Sequence, residues 1–154
     1  MSQVTIRKAN PADLDEIKNL ADAHKHELGF VLRPALTNSI QRDEVFVAEN
    51  SGNVVGFIEF HHRRDGQTTL YHIAVQSDHR RQRTGRQLVD ALIRDAREHA
   101  DGFVQLKCPV DLEANQFYER LGFSCIGIQP NKHRKLAIWR LSIGSKDPKD
   151  LQDL

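Results

Sequence analysis

Residues 79–89 read HRRQRTGRQLV and gather four arginines around Gly85, directly before an apolar helical pattern. The arginines are Arg80, Arg81, Arg83 and Arg86. Guanidinium groups in such a cluster can hold a multiply charged anion, follow the phosphates of a nucleic acid, or lie in solvent without a ligand. The chemistry on offer is the neutralisation of phosphate groups.

A second kind of chemistry is suggested by three histidines, His61, His62 and His72. Metal sites usually combine ligands at helical spacing or cysteine partners, and neither accompanies these histidines, so we expect no metal site.

The composition favours one small globular protein. The 154 residues fit a single domain, which we place at residues 1–143, followed by a charged and flexible tail at 144–154. Hydrophobic residues make up 39% of the chain, enough for a packed core. A net charge of +1, no basic stripe beyond the loop and only 6% aromatic residues all disfavour nucleic-acid binding.

The cysteines and the hydropathy pattern suggest a location. Cys108 and Cys125 are too few for a disulfide framework and fit a reducing cytosol. The N-terminus lacks an apolar signal segment, and no apolar run approaches the roughly 20 residues that cross a bilayer. We expect a soluble cytoplasmic protein that does not bind membranes.

Hydrophobic periodicity and turn residues predict the elements that must position these groups. Asn10 and Pro11 predict the N-cap and first residue of a helix that runs to about His24. Residues 25–43 are ambiguous and could include a short second helix. The other elements are strands at 4–8, 45–50, 54–63 and 68–76, a helix from Thr84, a strand at 103–108, a helix after Asp111, and strands at 124–129 and 135–143.

The order of these elements predicts the fold class. The strand, helix and strand of residues 68–108 form a right-handed crossover, which makes their two strands parallel. The strands before it form an antiparallel meander through turns at 50–53 and 65–66. We therefore expect an α/β fold with a mixed, mostly antiparallel sheet, one parallel strand pair and helices on both faces.

The arginine cluster lies where a strand leads through a tight turn into a helix, which is a common anion site. The N–H groups of a helix's first turn have no partner within the helix, and the helix dipole adds to their attraction for anions. Thr84 and Gln87 have the spacing of a capping box, and Gly85 leaves room for a ligand near the backbone. This arrangement favours a phosphorylated cofactor.

The last helix has its own end signals. Asp111 can cap its start, and Gly122 predicts a left-handed residue after its end, with Phe123 making the accompanying hydrophobic contact. Its inward face would consist of Ala114, Phe117, Tyr118 and Leu121.

Residues 80–85, Arg-Arg-Gln-Arg-Thr-Gly, resemble the pyrophosphate loop of the GNAT superfamily of acetyl-CoA-dependent N-acetyltransferases. That signature is Gln or Arg, two residues, Gly, one residue, and Gly or Ala. Arg80 and Gly85 match, whereas Arg83 stands where the family has glycine. Because the family's loop binds phosphate mainly through backbone N–H groups, the match requires Arg83 to adopt the backbone angles of that glycine.

The run FYERLGF at residues 117–123 resembles a second GNAT motif, Asn-x-x-Ala-x-x-Phe-Tyr followed by Gly-Phe. Ala114 matches this motif, and Asp111 takes the place of its asparagine. Asn115 lies about one turn later and could supply the missing amide contact. The resemblance extends over about residues 4–143, with both motifs in the expected order.

The resemblance implies how acetyl-CoA would bind. Its pantetheine arm would lie where the strands at 68–76 and 103–108 splay apart, and would pair with the backbone of Ile73 and Val75. The remaining cofactor contacts would come from Arg80, Arg81, Gln82, Arg83, Thr84, Gly85, Arg86, Asn115 and Tyr118.

The resemblance also implies catalytic roles. The backbone N–H of Val75 would polarise the thioester carbonyl, and Tyr118 would protonate the departing sulfur. Some family members carry a glutamate at the position of Thr69, where threonine cannot act as a base. Glu59 on the neighbouring strand is therefore our candidate base, acting directly or through a water.

Strand alternation places Phe57, Glu59 and His61 on one face of their strand. On the next strand, Tyr71 would line the acceptor cleft, and His72 would point to the opposite side unless a bulge rotates it.

The implied function is acetyl transfer from acetyl-CoA to a primary amine by direct attack in a ternary complex. A catalytically impaired CoA-binding module is the alternative, motivated by Arg83 and Asp111. The acceptor stays open among a peptide N-terminus, a lysine, a polyamine and a small metabolite. A monomer and a homodimer are equally compatible with the sequence.

Overall fold

The computed structural model describes residues 4–78, 83–130 and 132–144, which form two compact units. The first unit contains the described residues up to His61 together with Leu70–Leu92, and the second contains His62–Thr69 and the described residues from Ile93 onward. Apart from Gly144, the tail expected at 144–154 lies outside the described residues. None of the described helices combines the length and apolar character needed to cross a membrane.

The helices and strands follow the predicted order closely. The ambiguous segment at residues 25–43 contains two helices, and a 3₁₀ turn at Pro11–Asp13 precedes the first helix. The helices are α1 (Leu14–Ala23), α2 (Lys25–Leu28), α3 (Arg33–Gln41), α4 (Thr84–Glu98) and α5 (Ala114–Arg120). The strands are β1 (Thr5–Lys8), β2 (Val45–Asn50), β3 (Asn53–His62), β4 (Gln67–Val75), β5 (Phe103–Pro109), β6 (Ser124–Gln129) and β7 (Leu136–Ser142).

The strands form one mixed sheet in the order β1-β2-β3-β4-β5-β7-β6. The pairs β1–β2, β2–β3, β5–β7 and β6–β7 are antiparallel, whereas β4 and β5 are parallel. The parallel register joins Gln67–Thr69 to Phe103–Gln105, although β4 continues to Val75. The predicted fold class, a mixed sheet with one parallel pair, is confirmed.

The first unit has helices on both faces of its strands. α1 and α3 cover one face, and the buried side chains there include Ile17, Leu20, Leu36, Ile40, Val45, Val47, Phe57 and Ala74. Gly56 faces the other side, where a Cβ atom would lie 3.3 Å from Leu88 Cδ1 and 3.2 Å from the Ala74 carbonyl oxygen. The missing side chain lets α4 pack closely on β3 and β4, since a Cβ atom would push these neighbours apart by a few tenths of an ångström.

The second unit is built around β5 and β7, which pair from Phe103–Ser142 to Pro109–Leu136. Val104, Leu106, Ala137 and Trp139 on these strands are buried. At the start of β4, Thr68 donates a short hydrogen bond to Asp101 Oδ2, which also lies 2.7 Å from His62 Nδ1. These contacts tie the end of β3 and the start of β4 to the turn before β5.

The start of the first helix confirms the prediction made from Asn10 and Pro11. Asn10 Oδ1 accepts a hydrogen bond from Ala12 N at 3.0 Å, and Asp13 Oδ2 accepts one from Asn10 N at 2.8 Å. Both Asp13 oxygens also accept from the Arg7 guanidinium, at 2.8 and 3.0 Å. The guanidinium contact, helped by the Asn10 N–H, lowers the pKa of the Asp13 carboxyl despite its burial.

Asp13→Asn should therefore lower the free energy of unfolding at pH 7 by about 1–3 kcal/mol, since it removes the buried charged acceptor of the partly exposed Arg7 guanidinium. Because the carboxyl pKa is depressed in the folded state, its stabilisation is present above its unfolded value of about 3.9 and is lost as pH falls through the lower folded value. Urea unfolding should show that the difference in free energy of unfolding between the wild type and Asp13→Asn is smaller at pH 3 than at pH 7.

Asp15→Asn is the matched control. Asp15 also pairs with an arginine, Arg33, but the Asp15 side chain is 83% exposed. We therefore expect Asp15→Asn to lower the free energy of unfolding by less than about 1 kcal/mol. An equal gap for Asp13→Asn at both pH values would contradict the role of its charge.

Candidate active site

The start of α4 places Arg83 in a glycine-like conformation. Its φ is 64°, in the left-handed region, and its side chain is exposed. Its carbonyl accepts the first helical hydrogen bond, from Gln87 N at 3.0 Å. Arg83 is thus the N-cap residue and has the kind of backbone angle that the family's glycine would supply, as the motif requires.

The capping box predicted from Thr84 and Gln87 is wrong. The helix begins with Thr84 itself, so Thr84 occupies the first helical position and not the N-cap. Thr84 is fully buried, and its Oγ1 has no hydrogen-bond partner among the described residues. A buried hydroxyl without a hydrogen-bond partner destabilises a folded protein. A ligand oxygen that formed a hydrogen bond with Thr84 Oγ1 would remove this unfavourable contribution.

The rest of the predicted loop is only partly described. Gly85 is half-buried and Arg86 is exposed in the first turn of α4. Arg80, Arg81 and Gln82 lie outside the described residues, so their assignment to cofactor binding stays a prediction.

Ile73 and Val75 lie on the part of β4 beyond its parallel register with β5. Ile73 is half-buried, whereas Val75 is buried, with Cγ2 against Gly56. The next residue, Gln76, donates its N–H to the Val55 carbonyl at 2.8 Å. These contacts fix the end of β4 against β3, next to the start of α4.

Glu59 on β3 is buried and has two partners. Its Oε2 accepts a hydrogen bond from Ser39 Oγ of α3 at 2.7 Å, and its Oε1 lies 2.7 Å from His72 Nδ1 of β4. The Glu59 side chain is 5% exposed, whereas the His72 side chain is 24% exposed. The carboxylate is therefore shielded from solvent, and the histidine bonded to it is the more exposed member of the pair.

A second histidine–glutamate pair lies on the same face. His61 Nδ1 lies 2.9 Å from Glu44 Oε1, and the His61 ring is stacked 6.5 Å from the ring of Tyr71. The Tyr71 ring is also 6.5 Å from that of His72. Both Tyr71 and His72 thus turn toward the face of β3 that carries Glu59 and His61, which a regular strand does not allow. The regular alternation of side chains along β4 is therefore broken at Tyr71 and His72, as the sequence allowed for if a bulge rotates His72.

Among the described residues, His62, His99 and Asp101 could together hold a metal ion, since their donor atoms lie within 4.8 Å of one another. However, both ring nitrogens of His62 already contact carboxylates, Asp101 at 2.7 Å and Asp95 at 2.8 Å. His99 stacks on His62 with 4.1 Å between ring centroids. The three histidines first considered for a metal, His61, His62 and His72, each pair with different carboxylates.

Tyr118 is the buried residue of α5, at 5% exposure. Its ring makes edge contacts with Phe117 at 5.3 Å and Phe123 at 5.8 Å. The predicted end of the helix is confirmed: Gly122 has φ 98°, and Phe123 N donates to the Tyr118 carbonyl at 3.1 Å. The C-terminal turn of α5 therefore fixes the position of Tyr118.

The contacts of Asn115 are internal to the second unit. Its Nδ2 donates to the carbonyls of Pro109 and Leu112, at 2.8 and 2.7 Å, and its Oδ1 accepts from Trp139 Nε1 at 2.8 Å. One amide thus joins the end of β5, the loop after it and β7 to the first turn of α5.

Asp111 does not cap α5, so that prediction is wrong. The helix begins at Ala114, after Glu113, because residues 110–113 form turns. The Asp111 carboxylate instead accepts from Arg134 at 3.2 and 3.4 Å.

Sequence reasoning missed Ser39 and Glu44 altogether, and it allowed His72 on the face of Glu59 only if a bulge rotated it. Ser39 lies in the segment that was ambiguous, and Glu44 directly precedes a strand. Strand alternation pointed to the shared face of Glu59 and His61, but nothing in the sequence gave the cross-strand partners.

Solved structures with the same fold were found at low sequence identity. The ribosomal-protein-S18-alanine N-acetyltransferase of Escherichia coli has a TM-score of 0.79 and 22% identity, over 95% of this chain and 97% of that one. Ard1 of Thermoplasma volcanium has a TM-score of 0.83 and 24% identity, over 91% and 97%. The PaiA N-acetyltransferase of Thermoplasma acidophilum, solved with coenzyme A, has a TM-score of 0.75 and 16% identity, over 88% and 98%.

Sequence comparison adds the family. No curated protein sequence matches the chain significantly. The model of the acetyltransferase (GNAT) domain, however, matches residues 41–125, which is more than half of the 154 residues and includes α4 and the whole FYERLGF motif. With the mixed sheet and the glycine-like turn before α4, this match shows that the chain belongs to the GNAT family of acetyltransferases.

Proposed function

We propose that this protein transfers an acetyl group from acetyl-CoA to a primary amine by direct attack in a ternary complex. The observation that carries this proposal is the start of α4, where Arg83 takes a left-handed conformation at the family's glycine position. The family membership supports acetyl-CoA as the donor. The amine acceptor and the order of events are our inference.

The residues at this helix start fit a diphosphate. The first-turn N–H groups of a 15-residue helix attract anions, and the exposed side chains of Arg83 and Arg86 add positive charge. The buried hydroxyl of Thr84 has no partner among the described residues and would gain one from a phosphate oxygen. We assign Arg80, Arg81, Gln82 and Gly85 to the same site on the strength of the motif.

The end of β4 would orient the thioester. We assign the backbone of Ile73 and Val75 to the pantetheine arm, and the N–H of Val75 to the carbonyl oxygen that gains negative charge during the reaction. The short parallel register of β4 with β5 supports this assignment, because β4 continues beyond it to Val75.

Tyr118 would give a proton to the departing sulfur. A phenol has a reference pKa of about 10 and so holds its proton at neutral pH until a base forms beside it. The edge contacts with Phe117 and Phe123 keep the ring in one orientation. Glu59 stays our candidate for removing the proton of the amine, directly or through a group bonded to it.

The alternative, a catalytically impaired CoA-binding module, was motivated by Arg83 and Asp111. Arg83 adopts the left-handed conformation that a glycine would supply, which weakens the first motivation. The second stays, because the Asp111 carboxylate pairs with Arg134. We also propose a reducing cytoplasmic location, because Cys108 and Cys125 do not form a disulfide with each other.

CoA release with a panel of peptides, lysine derivatives, polyamines and small amines tests this function. Tyr118→Phe should lower kcat by about 10²-fold, because it removes the proton donor. The Kd for CoA, measured by calorimetry, should stay within about twofold, since the ring contacts are retained. Unchanged turnover would remove Tyr118 from its role, and CoA binding without any turnover by the wild type would favour the binding module.

Two substitutions at position 83 separate backbone from side chain. Arg83→Gly and Arg83→Val both remove the charge, but only valine resists the left-handed conformation, by about 1–2 kcal/mol or more. We expect Arg83→Val to bind CoA at least about fivefold more weakly than Arg83→Gly in calorimetry. Equal affinities would show that the turn does not act through its backbone.

Asn115 is better explained as a residue that positions α5 than as a direct CoA contact. Asn115→Ala would leave Trp139 Nε1, in a residue that is 7% exposed, without its acceptor. We expect it to lower the free energy of unfolding by about 2 kcal/mol or more. Urea unfolding can follow the fluorescence of Trp139, the one tryptophan in the chain. Full stability with weakened CoA binding would instead support the direct contact.

A further inference from the structure

A buried carboxylate links a serine to a partly exposed histidine on the face of β3 that also carries His61. Glu59 accepts from Ser39 Oγ through Oε2 at 2.7 Å and contacts His72 Nδ1 through Oε1 at 2.7 Å. The three residues come from α3, β3 and β4, all in the first unit. The contacts form a chain from a helix hydroxyl, through a carboxylate, to an imidazole ring.

These contacts determine which nitrogen of His72 can act on a substrate. An ionised carboxylate only accepts hydrogen bonds, so His72 must donate its Nδ1–H to Glu59. In the neutral ring, the lone pair is then on Nε2. The same geometry, a carboxylate holding the Nδ1–H of a histidine, orients the histidine bases of many hydrolytic enzymes.

Burial separates the roles of the two residues. The Glu59 side chain is 5% exposed, so the surrounding residues largely cover its two oxygens from an incoming amine. The His72 side chain is 24% exposed. A proton acceptor must lie within hydrogen-bond reach of the proton it takes, which favours the histidine.

The break in alternation on β4 brings His72 to this face. Tyr71 and His72 both turn toward the face of Glu59 and His61, and Tyr71 is 49% exposed beside them. Irregularities of this kind often re-aim side chains next to active sites. Among the residues that the structure describes, the titratable groups linked to His72 by contacts on this face include Glu59, His61, Tyr71 and, through His61, Glu44.

We propose that Nε2 of His72 accepts the proton of the acceptor ammonium group, and that Glu59 is a positioning residue that fixes the His72 tautomer. This inference rests on the proposed N-acetyltransferase function. His72 takes one proton from the ammonium and later releases it to water, which leaves a nitrogen lone pair for attack. As the N–C bond forms and the C–S bond breaks, Tyr118 gives its proton to sulfur and regains one from the acylated nitrogen.

The test is the pH dependence of kcat/KM, measured by CoA release with the amine of the panel that reacts fastest. His72→Gln should lower kcat/KM at pH 7 by about 10²-fold. Its residual rate should then rise tenfold per pH unit toward the pKa of the acceptor, about 10.4 for a lysine-like amine, because only the free amine reacts. Added imidazole should restore part of the rate in His72→Ala.

Glu59→Gln tests the positioning role. Glutamine keeps the size of the side chain but its amide can also donate, so it no longer requires His72 to donate its Nδ1–H. We expect kcat/KM at pH 7 to fall about tenfold with the KM for acetyl-CoA within about twofold, and we expect Glu59→Asp, which retains the carboxylate, to recover part of the loss. Should the His72 variants fail to fold, equal losses in Glu59→Gln and Glu59→Asp would still overturn the positioning role.

His61→Gln is the matched control, because His61 forms a similar pair with Glu44 on the same face. It should keep the wild-type pH profile and a rate within about threefold. A wild-type rate and pH profile in His72→Gln, with normal CoA binding, would overturn the role of His72 and leave the proposed function standing. CoA binding with no turnover of any amine by the wild type would overturn both.

Discussion

The parallel pairing of β4 with β5 is the constraint on which the rest of this protein depends. Antiparallel neighbours can be joined by a tight turn, but parallel strands need a long crossover, and here α4 provides it. The helix must begin soon after β4 ends, and Gly56 lets it approach the strands closely. The first turn of α4, with its anion-attracting N–H groups, thereby follows closely on the end of β4, where we propose that acetyl-CoA binds.

Two nearly buried glutamates in the first unit are each paired with a histidine. Glu59 and Glu44 are both nearly buried, and each contacts a histidine that is more exposed. Removing a carboxylate from water is unfavourable unless donors compensate it, so each pair must keep its geometry. Such a requirement suits a catalytic group, because it holds the imidazole in one orientation and one tautomer. Glu59 also accepts a hydrogen bond from Ser39 Oγ of α3.

The sequence predicted more of the fold than of the site. Gly122 and Phe123 gave the end of α5 because only local backbone geometry was involved. The prediction of a capping box at Thr84 was wrong because Arg83, in a left-handed conformation, is the N-cap. The local sequence pattern does not show whether the helix begins after Arg83 or after Thr84. The prediction that Asp111 caps α5 was also wrong, because the Asp111 carboxylate pairs with Arg134, which is far away in sequence.

By itself, the sequence determined the order of elements, the parallel crossover and the family, because periodicity and two motifs are local properties of the chain. Only the tertiary structure decided which side chains meet. Ser39, Glu59 and His72 come from three separate elements, and their contact depends on strand register and on a break in alternation. Register and bulges arise from packing across the sheet, and no single stretch of residues encodes them.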